Sequence, residues 1–242
     1  EFALGRYYPA HAYYERLLIE FPATRRLRTV IEREYRIGQA LVRGETREVL
    51  GMIEVGDQAL GAAILRRVLE RYPLGEYADD ARFTIANYDF KNGRYLEAME
   101  EYRLLREDDQ YRGSEWREIA LFQIARCQEA PYEGPDYDPS PAQEALESYR
   151  AYEVEAPEGS RVVEARERQM ALEMDLAESD FRRARWYLDR GYPRAASVFF
   201  AGLIDRYPTS ERVGEAGHAP HSPQTDANFA SPLTHGVRRT FE

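Results

Sequence analysis

The sequence predicts an all-α fold: a right-handed solenoid of about five stacked helix pairs, followed by a disordered C-terminal tail. Three observations carry that expectation. Small and apolar residues return at fixed offsets, a second motif recurs upstream of them, and one long stretch has neither glycine nor proline.

Gly56, Gly61, Leu65, Val68, Tyr72 and Pro73 stand at offsets 0, 5, 9, 12, 16 and 17. The same offsets hold for Gly5, Ala10, Tyr14, Leu17, Phe21 and Pro22, for Gly191, Ala196, Phe200, Leu203, Tyr207 and Pro208, and, with serine first, for Ser140, Ala145, Tyr149, Tyr152, Ala156 and Pro157. Gly93, Ala98, Tyr102 and Leu105 keep the first four, while Asp109 and Gln110 replace the closing aromatic and proline. Five copies are not a chance pattern. The glycine suits a left-handed residue that ends the preceding helix. The small residue at offset 5 lets two helices touch, and offsets 9, 12 and 16 share one helical face. Proline stops the helix.

Upstream lies an aromatic three residues before a small residue: Tyr35 and Gly38, Phe83 and Ala86, Phe122 and Ala125, Phe181 and Ala184. These mark the first helix (A) of each pair, and the offset pattern marks the second (B). One pair cannot bury its apolar face alone, so the pairs must stack. Successive B helices are 51, 37, 47 and 51 residues apart, against about 34 in the simplest repeat of this kind. The excess falls in an insertion at 44–55, a proline- and acid-rich loop at 128–141, and the breaker-free run 161–190, which predicts one helix of roughly 45 Å at 1.5 Å per residue. Residues 211–216 read as the start of another A helix. From Gly214 the composition turns to Gly, Pro, Ser and His without helical period, the signature of a disordered tail.

A net charge of −10 disfavours nucleic acid or anionic lipid as the main partner. Thirty-one per cent charged residues and a mean hydropathy of −0.66 fit an elongated, well-solvated helical chain. No run of 18 apolar residues and no signal-like apolar segment occurs. The single cysteine, Cys127, sits in an apolar run and reads as a buried hydrophobe, so no intrachain disulfide or cysteine-based metal site is expected. Phosphate loops, H-E-x-x-H and nucleophile-elbow motifs are absent. His218, His221 and His235 lie in the tail, and His11 reads as a surface or interhelix residue of a B helix. The acidic pairs, such as Asp79-Asp80, read as solvated faces. The expectation is therefore no catalytic residue, no metal ligand and no cofactor.

Three stretches carry a more specific likeness: RYPLGEYADDARFTIANYDFKNGRYLEAMEEY (71–102), DYDPSPAQEALESY (136–149) and LAESDFRRARWYLDRGYPRAASVFFAGLIDRYPTS (176–210). Over about 56–213 the chain resembles the BamD-like family, tetratricopeptide lipoproteins of the bacterial outer-membrane β-barrel assembly machine. The resemblance implies a lipid-anchored protein on the periplasmic face of the outer membrane. It also implies binding of unfolded outer-membrane β-barrel proteins through N-terminal repeats and of the periplasmic domains of the barrel-forming subunit through C-terminal ones. Residues 1–55 then read as an additional N-terminal repeat, 56–213 as the array and 214–242 as the tail. The lipidated cysteine that the resemblance implies is not among these residues, and Cys127 does not replace it.

Repeats of this kind bind along the face built by their A helices. Tyr35, Phe83, Phe122 and Phe181, and the residues one turn on, Gln39, Asn87, Arg126 and Arg185, form one stripe there. By resemblance and by chemistry the peptide-binding residues are Tyr77, Phe83, Asn87 and Phe90, which offer stacking and amide hydrogen bonds to an extended chain with a terminal aromatic. Trp186, Arg190 and Tyr192 are the candidate anchors for the partner subunit, because Trp, Tyr and Arg dominate binding hot spots. The alternatives are another periplasmic scaffold that coordinates cell-envelope assembly or division, and a helical-solenoid enzyme, which would need polar residues gathered in a closed pocket.

Overall fold

The computed structural model describes residues 1–45, 47–49, 52–54 and 57–218. Each predicted helix is present. The B helices are α1 (Tyr7–Glu20), α3 (Gln58–Arg71), α5 (Tyr95–Glu107), α7 (Ser140–Glu155) and α9 (Pro193–Arg206). The A helices are α2 (Leu27–Val42), α4 (Ala78–Lys91), α6 (Trp116–Glu129) and α8 (Val162–Asp189), with α10 (Arg212–Gly217) opening a further one. Four complete pairs are therefore flanked by a lone B helix and a short A helix, a tetratricopeptide-like arrangement. The insertion after α2 carries a short antiparallel hairpin, β1 (Arg47–Val49) and β2 (Met52–Glu54), with Arg47 opposite Glu54. Gly214–Gly217, which composition assigns to the tail, are helical in α10, where Ala216 is buried against α9. The remaining tail call, 219–242, lies outside the described residues, as does Gly56.

The offsets translate directly into packing. At offset 5, Ala10, Ala98, Ala145 and Ala196 are buried. At offset 9, Leu65, Tyr102, Tyr149 and Phe200 are fully enclosed. Gly5, Gly93 and Gly191 hold left-handed backbone, with φ of 68°, 75° and 79°, as the offset-0 glycine requires. The fifth copy solves its missing aromatic two residues late. Beyond α5 a 3-10 turn (Asp109–Tyr111) brings Tyr111 into the core, where its hydroxyl donates to the Pro73 carbonyl at 3.1 Å and accepts from Arg82 at 2.8 Å.

The described residues divide into two compact units, one of residues 1–176 and one that begins at Ala177, with the boundary inside α8. In the first, each helix packs on the next, and successive A helices touch as well, α2 on α4 and α4 on α6. One core runs from Tyr35 through Leu65, Ile85, Tyr102 and Leu105 to Ile124 and Cys127. The N-terminal part of α8 packs on α7 through Gln169, whose amide reaches the Tyr149 carbonyl at 3.3 Å, and through Arg150–Glu173 at 2.5 Å. In the second unit Phe181 meets Phe200 edge to face at 5.8 Å, and Asp180 receives Arg206 at 2.8 Å. The 28 residues of α8 span about 42 Å at 1.5 Å per residue, the long helix that the breaker-free run predicts.

Helices α2 and α3 approach closely at Gly38 and Gly61. A Cβ on Gly61 would stand 2.7 Å from the Val42 nitrogen and 2.8 Å from the Gly38 oxygen, both backbone atoms that cannot step aside. Gly202 in α9 faces only the flexible Arg206 side chain, at 3.1 Å. Gly61→Ala is therefore expected to cost about 1–3 kcal/mol by overpacking, while Gly202→Ala, which gains helix propensity, shifts stability by less than about 1 kcal/mol. Urea midpoints of the two variants check this.

Candidate client-binding face

The A-helix stripe is wired from helix to helix. On α4 the carboxylate of Asp80 accepts from the Tyr35 hydroxyl of α2 at 3.1 Å and from the Trp116 indole of α6 at 2.7 Å. Gln39 donates to the same Tyr35 hydroxyl, and Tyr35 stacks on Tyr77 with centroids 4.6 Å apart. One turn along, Phe83 stacks on Trp116 at 4.1 Å and 9°. Next, the Asn87 oxygen accepts from the Tyr102 hydroxyl at 3.0 Å and from Gln123 of α6 at 3.4 Å, while its amide donates to the Phe83 carbonyl at 2.8 Å. At the end of the stripe the Arg126 guanidinium lies 4.6 Å over the Phe90 ring and donates to Gln123 at 3.1 Å. Burial and the neighbouring Asp80 charge push the Tyr35 hydroxyl well above its ordinary range, so it stays a donor at any physiological pH.

Two hollows open beside this stripe. The larger, about 530 Å³, is lined by Phe90, Arg126, Glu129, Tyr132, Tyr149 and the α8 residues Glu164, Arg168 and Asp175, among others. Glu129 is committed there: it pairs with Arg168 and accepts from the Tyr149 hydroxyl at 2.7 Å. Arg126 makes no ion pair among the described residues, so its charge is available to a ligand beside an aromatic face. The second hollow, about 330 Å³ and largely apolar, is lined by Leu27, Ile31, Tyr72 and Tyr77, with the Arg28–Glu76 ion pair (2.5 Å) at its rim.

The four residues expected to bind peptide thus fall into different settings. Phe90 borders the larger hollow and Tyr77 the smaller one; Phe83 is half-buried in its stack, and Asn87 spends its oxygen and one amide proton inside the protein. Arg126 and Trp116 do more on this face than the repeat spacing indicates. In the C-terminal unit Arg190 lies over the Trp186 ring at 3.9 Å, and Trp186 and Tyr192 are 48% and 60% exposed. Arg185 is exposed beside them in sequence. Cys127 is buried and its thiol is pushed up to about 12, which leaves it inert as a nucleophile. Among the described residues no helix is long and apolar enough to cross a membrane.

One cluster escapes the sequence reading. His11 and Glu15 of α1 and Glu34 of α2 bring a ring nitrogen and two carboxylate oxygens within 4.8 Å of one another. Spacing alone gives His11 and Glu15 one turn apart on a helix, but Glu34 comes from the neighbouring helix and no local motif announces it.

A family model described as "YfiO: Outer membrane lipoprotein" matches residues 46–222. No curated protein matches the chain.

Asp80 links three A helices, so Asp80→Ala strips two donors of their acceptor. It is expected to destabilise the first unit by about 1–3 kcal/mol and to change the near-ultraviolet circular dichroism of Trp116. A stability equal to that of the parent chain would show that the ladder is incidental.

Proposed function

Since this chain belongs to the YfiO family of outer membrane lipoproteins, of the BamD-like kind, we propose that it is a non-catalytic scaffold of the outer-membrane β-barrel assembly machinery. It works at the periplasmic face of the outer membrane, tethered by a lipid. The A-helix face of the first unit holds unfolded β-barrel clients, and the C-terminal unit holds the periplasmic domains of the barrel-forming subunit.

The observation that carries the client reading is the Phe90–Arg126 pair beside an open hollow. An extended segment ending in an aromatic residue and a carboxylate would find a ring to stack on and a guanidinium without a carboxylate of its own. The hydrogen bonds to such a segment come from Arg126 more than from Asn87, because Asn87 is already engaged. For the partner reading, support comes from the exposed Trp186–Arg190 pair and Tyr192, a cluster of the residue types that dominate hot spots. The stretch 1–55, which begins ahead of the family match at 46–222, is in this reading an N-terminal addition to the array, in which α1 is a lone B helix and α2 pairs with α3.

Two measurements test these assignments. Phe90→Ala and Arg126→Ala are each expected to weaken a fluorescently labelled β-barrel C-terminal peptide about tenfold or more in anisotropy titrations, the loss of about 1.4 kcal/mol or more, with unchanged helical circular dichroism. Equal affinity in both variants removes the client site from this hollow. Trp186→Ala with Arg190→Ala is expected to abolish co-purification of the barrel-forming subunit while leaving peptide binding intact; retention of the subunit by the double variant places its docking surface elsewhere.

A further inference from the structure

We infer that His11, Glu15 and Glu34 form a binding site for a divalent transition ion of the zinc type, which clamps α1 to α2. The inference is independent of the proposed function, and all three residues precede the stretch that the family model matches.

Three observations converge on it. First, the donor atoms are already gathered within 4.8 Å of one another. A tetrahedral ion with bonds of about 2.0–2.2 Å needs them about 3.3 Å apart, so side-chain rotation must close the widest gap by up to about 1.5 Å and open the 2.7 Å His11–Glu34 contact slightly. Second, Glu34 is 2% exposed, its Oε2 lies 2.7 Å from His11 Nδ1, and its Oε1 has no hydrogen-bond partner. A buried carboxylate with an idle oxygen is costly unless a cation completes it. Third, the repeat itself shows what is missing. In the last complete pair the acid just ahead of the A-helix aromatic, Asp180, is neutralised by the arginine at offset 15 of the B helix, Arg206, at 2.8 Å. The same two positions in the first complete pair are Glu34 and Arg71. There Arg71 turns away to Glu15, with contacts of 2.5 and 3.0 Å. Glu34 keeps only an imidazole.

The chemistry of the donors selects the ion. One imidazole nitrogen and two carboxylate oxygens suit Zn²⁺ and its neighbours, with water in the fourth position. Ca²⁺ wants six to eight oxygens and Mg²⁺ an octahedron of them. Glu15 can serve without losing Arg71. Its Oε2 carries the longer contacts, 3.0 Å to Arg71 and 3.4 Å to Arg67, and can turn to the ion while Oε1 keeps the 2.5 Å contact. Arg71 then holds the ligand in place from outside. The His11 and Glu15 side chains are 12% and 17% exposed, which leaves an entry path on the α1 side.

Co²⁺ is the probe, followed by visible absorption of the metal-free full chain, with Zn²⁺ in competition and thermal unfolding in parallel. Expected are d–d bands that saturate at one equivalent and are displaced by Zn²⁺, with a rise in the unfolding midpoint for Zn²⁺ and none for Mg²⁺ or Ca²⁺. The bands survive in a chain with His218, His221 and His235 replaced by Gln, which excludes the tail as the ligand. His11→Gln and Glu34→Gln, both near-isosteric, each weaken Co²⁺ by more than about tenfold. No saturable band in the parent chain, or bands of equal strength in both variants, overturns the site.

Discussion

Everything in this fold depends on how closely the helices of a pair approach, and that is fixed by a small residue six positions into each B-helix motif. Where it is alanine, as at Ala10, Ala98, Ala145 and Ala196, the residue is buried. Where it is Gly61, the backbones of α2 and α3 come close enough that even a methyl group has no room. A shift of a residue larger than alanine into this position would push apart a pair whose apolar faces have no other place to go. The large side chains at offset 9, Leu65, Tyr102, Tyr149 and Phe200, can be fully enclosed only because this contact holds the two helices over them.

With the B helices committed to the core, the A helices carry what is specific to this chain. Their stripe is polar and aromatic, and its hydrogen bonds run between repeats: Tyr35 to Asp80, Trp116 to Asp80, Gln123 to Asn87. Each bond is modest in net free energy. Together they fix the register of α2, α4 and α6 in a way that apolar contact, which is not directional, does not. Groups held in register in this way would need little further ordering on meeting a ligand, a cost that otherwise reduces affinity.

The sequence made the helices legible to within a residue or two because glycine, proline and period 3.6 are local properties. Gly5, Gly93 and Gly191 are left-handed where the pattern needs it, and α8 has the length that a stretch without breakers predicts. The site was less legible. Asn87 reads as a free amide in one dimension, yet Tyr102, fifteen residues on, consumes its oxygen. Trp116 and Asp80 carry no repeat signature, and only the stacking of α4 on α6 joins them. Tyr111 replaces an aromatic that the pattern declares missing, because a 3-10 turn changes the phase. In each case the deciding contact links residues far apart in sequence, to which offset counting is blind.

The same blindness hides a variation that the three-dimensional repeat makes plain. Buried acids recur on the A helices, and each is met differently. Asp89 receives both Arg66 at 2.8 Å and Arg94 at 2.6 Å; Asp180 receives Arg206. Glu34 sits where Asp180 sits but has lost its arginine to Glu15, whose carboxyl Arg71 holds below its ordinary range. Burial pushes the carboxyl of Glu34 up. A repeat protein tolerates such exchanges because the apolar offsets alone secure the stacking, so an acid and its cation are free to be re-paired from one repeat to the next. Such a re-pairing can leave a buried group short of a partner, as it leaves Glu34 Oε1 at the junction of α1 and α2.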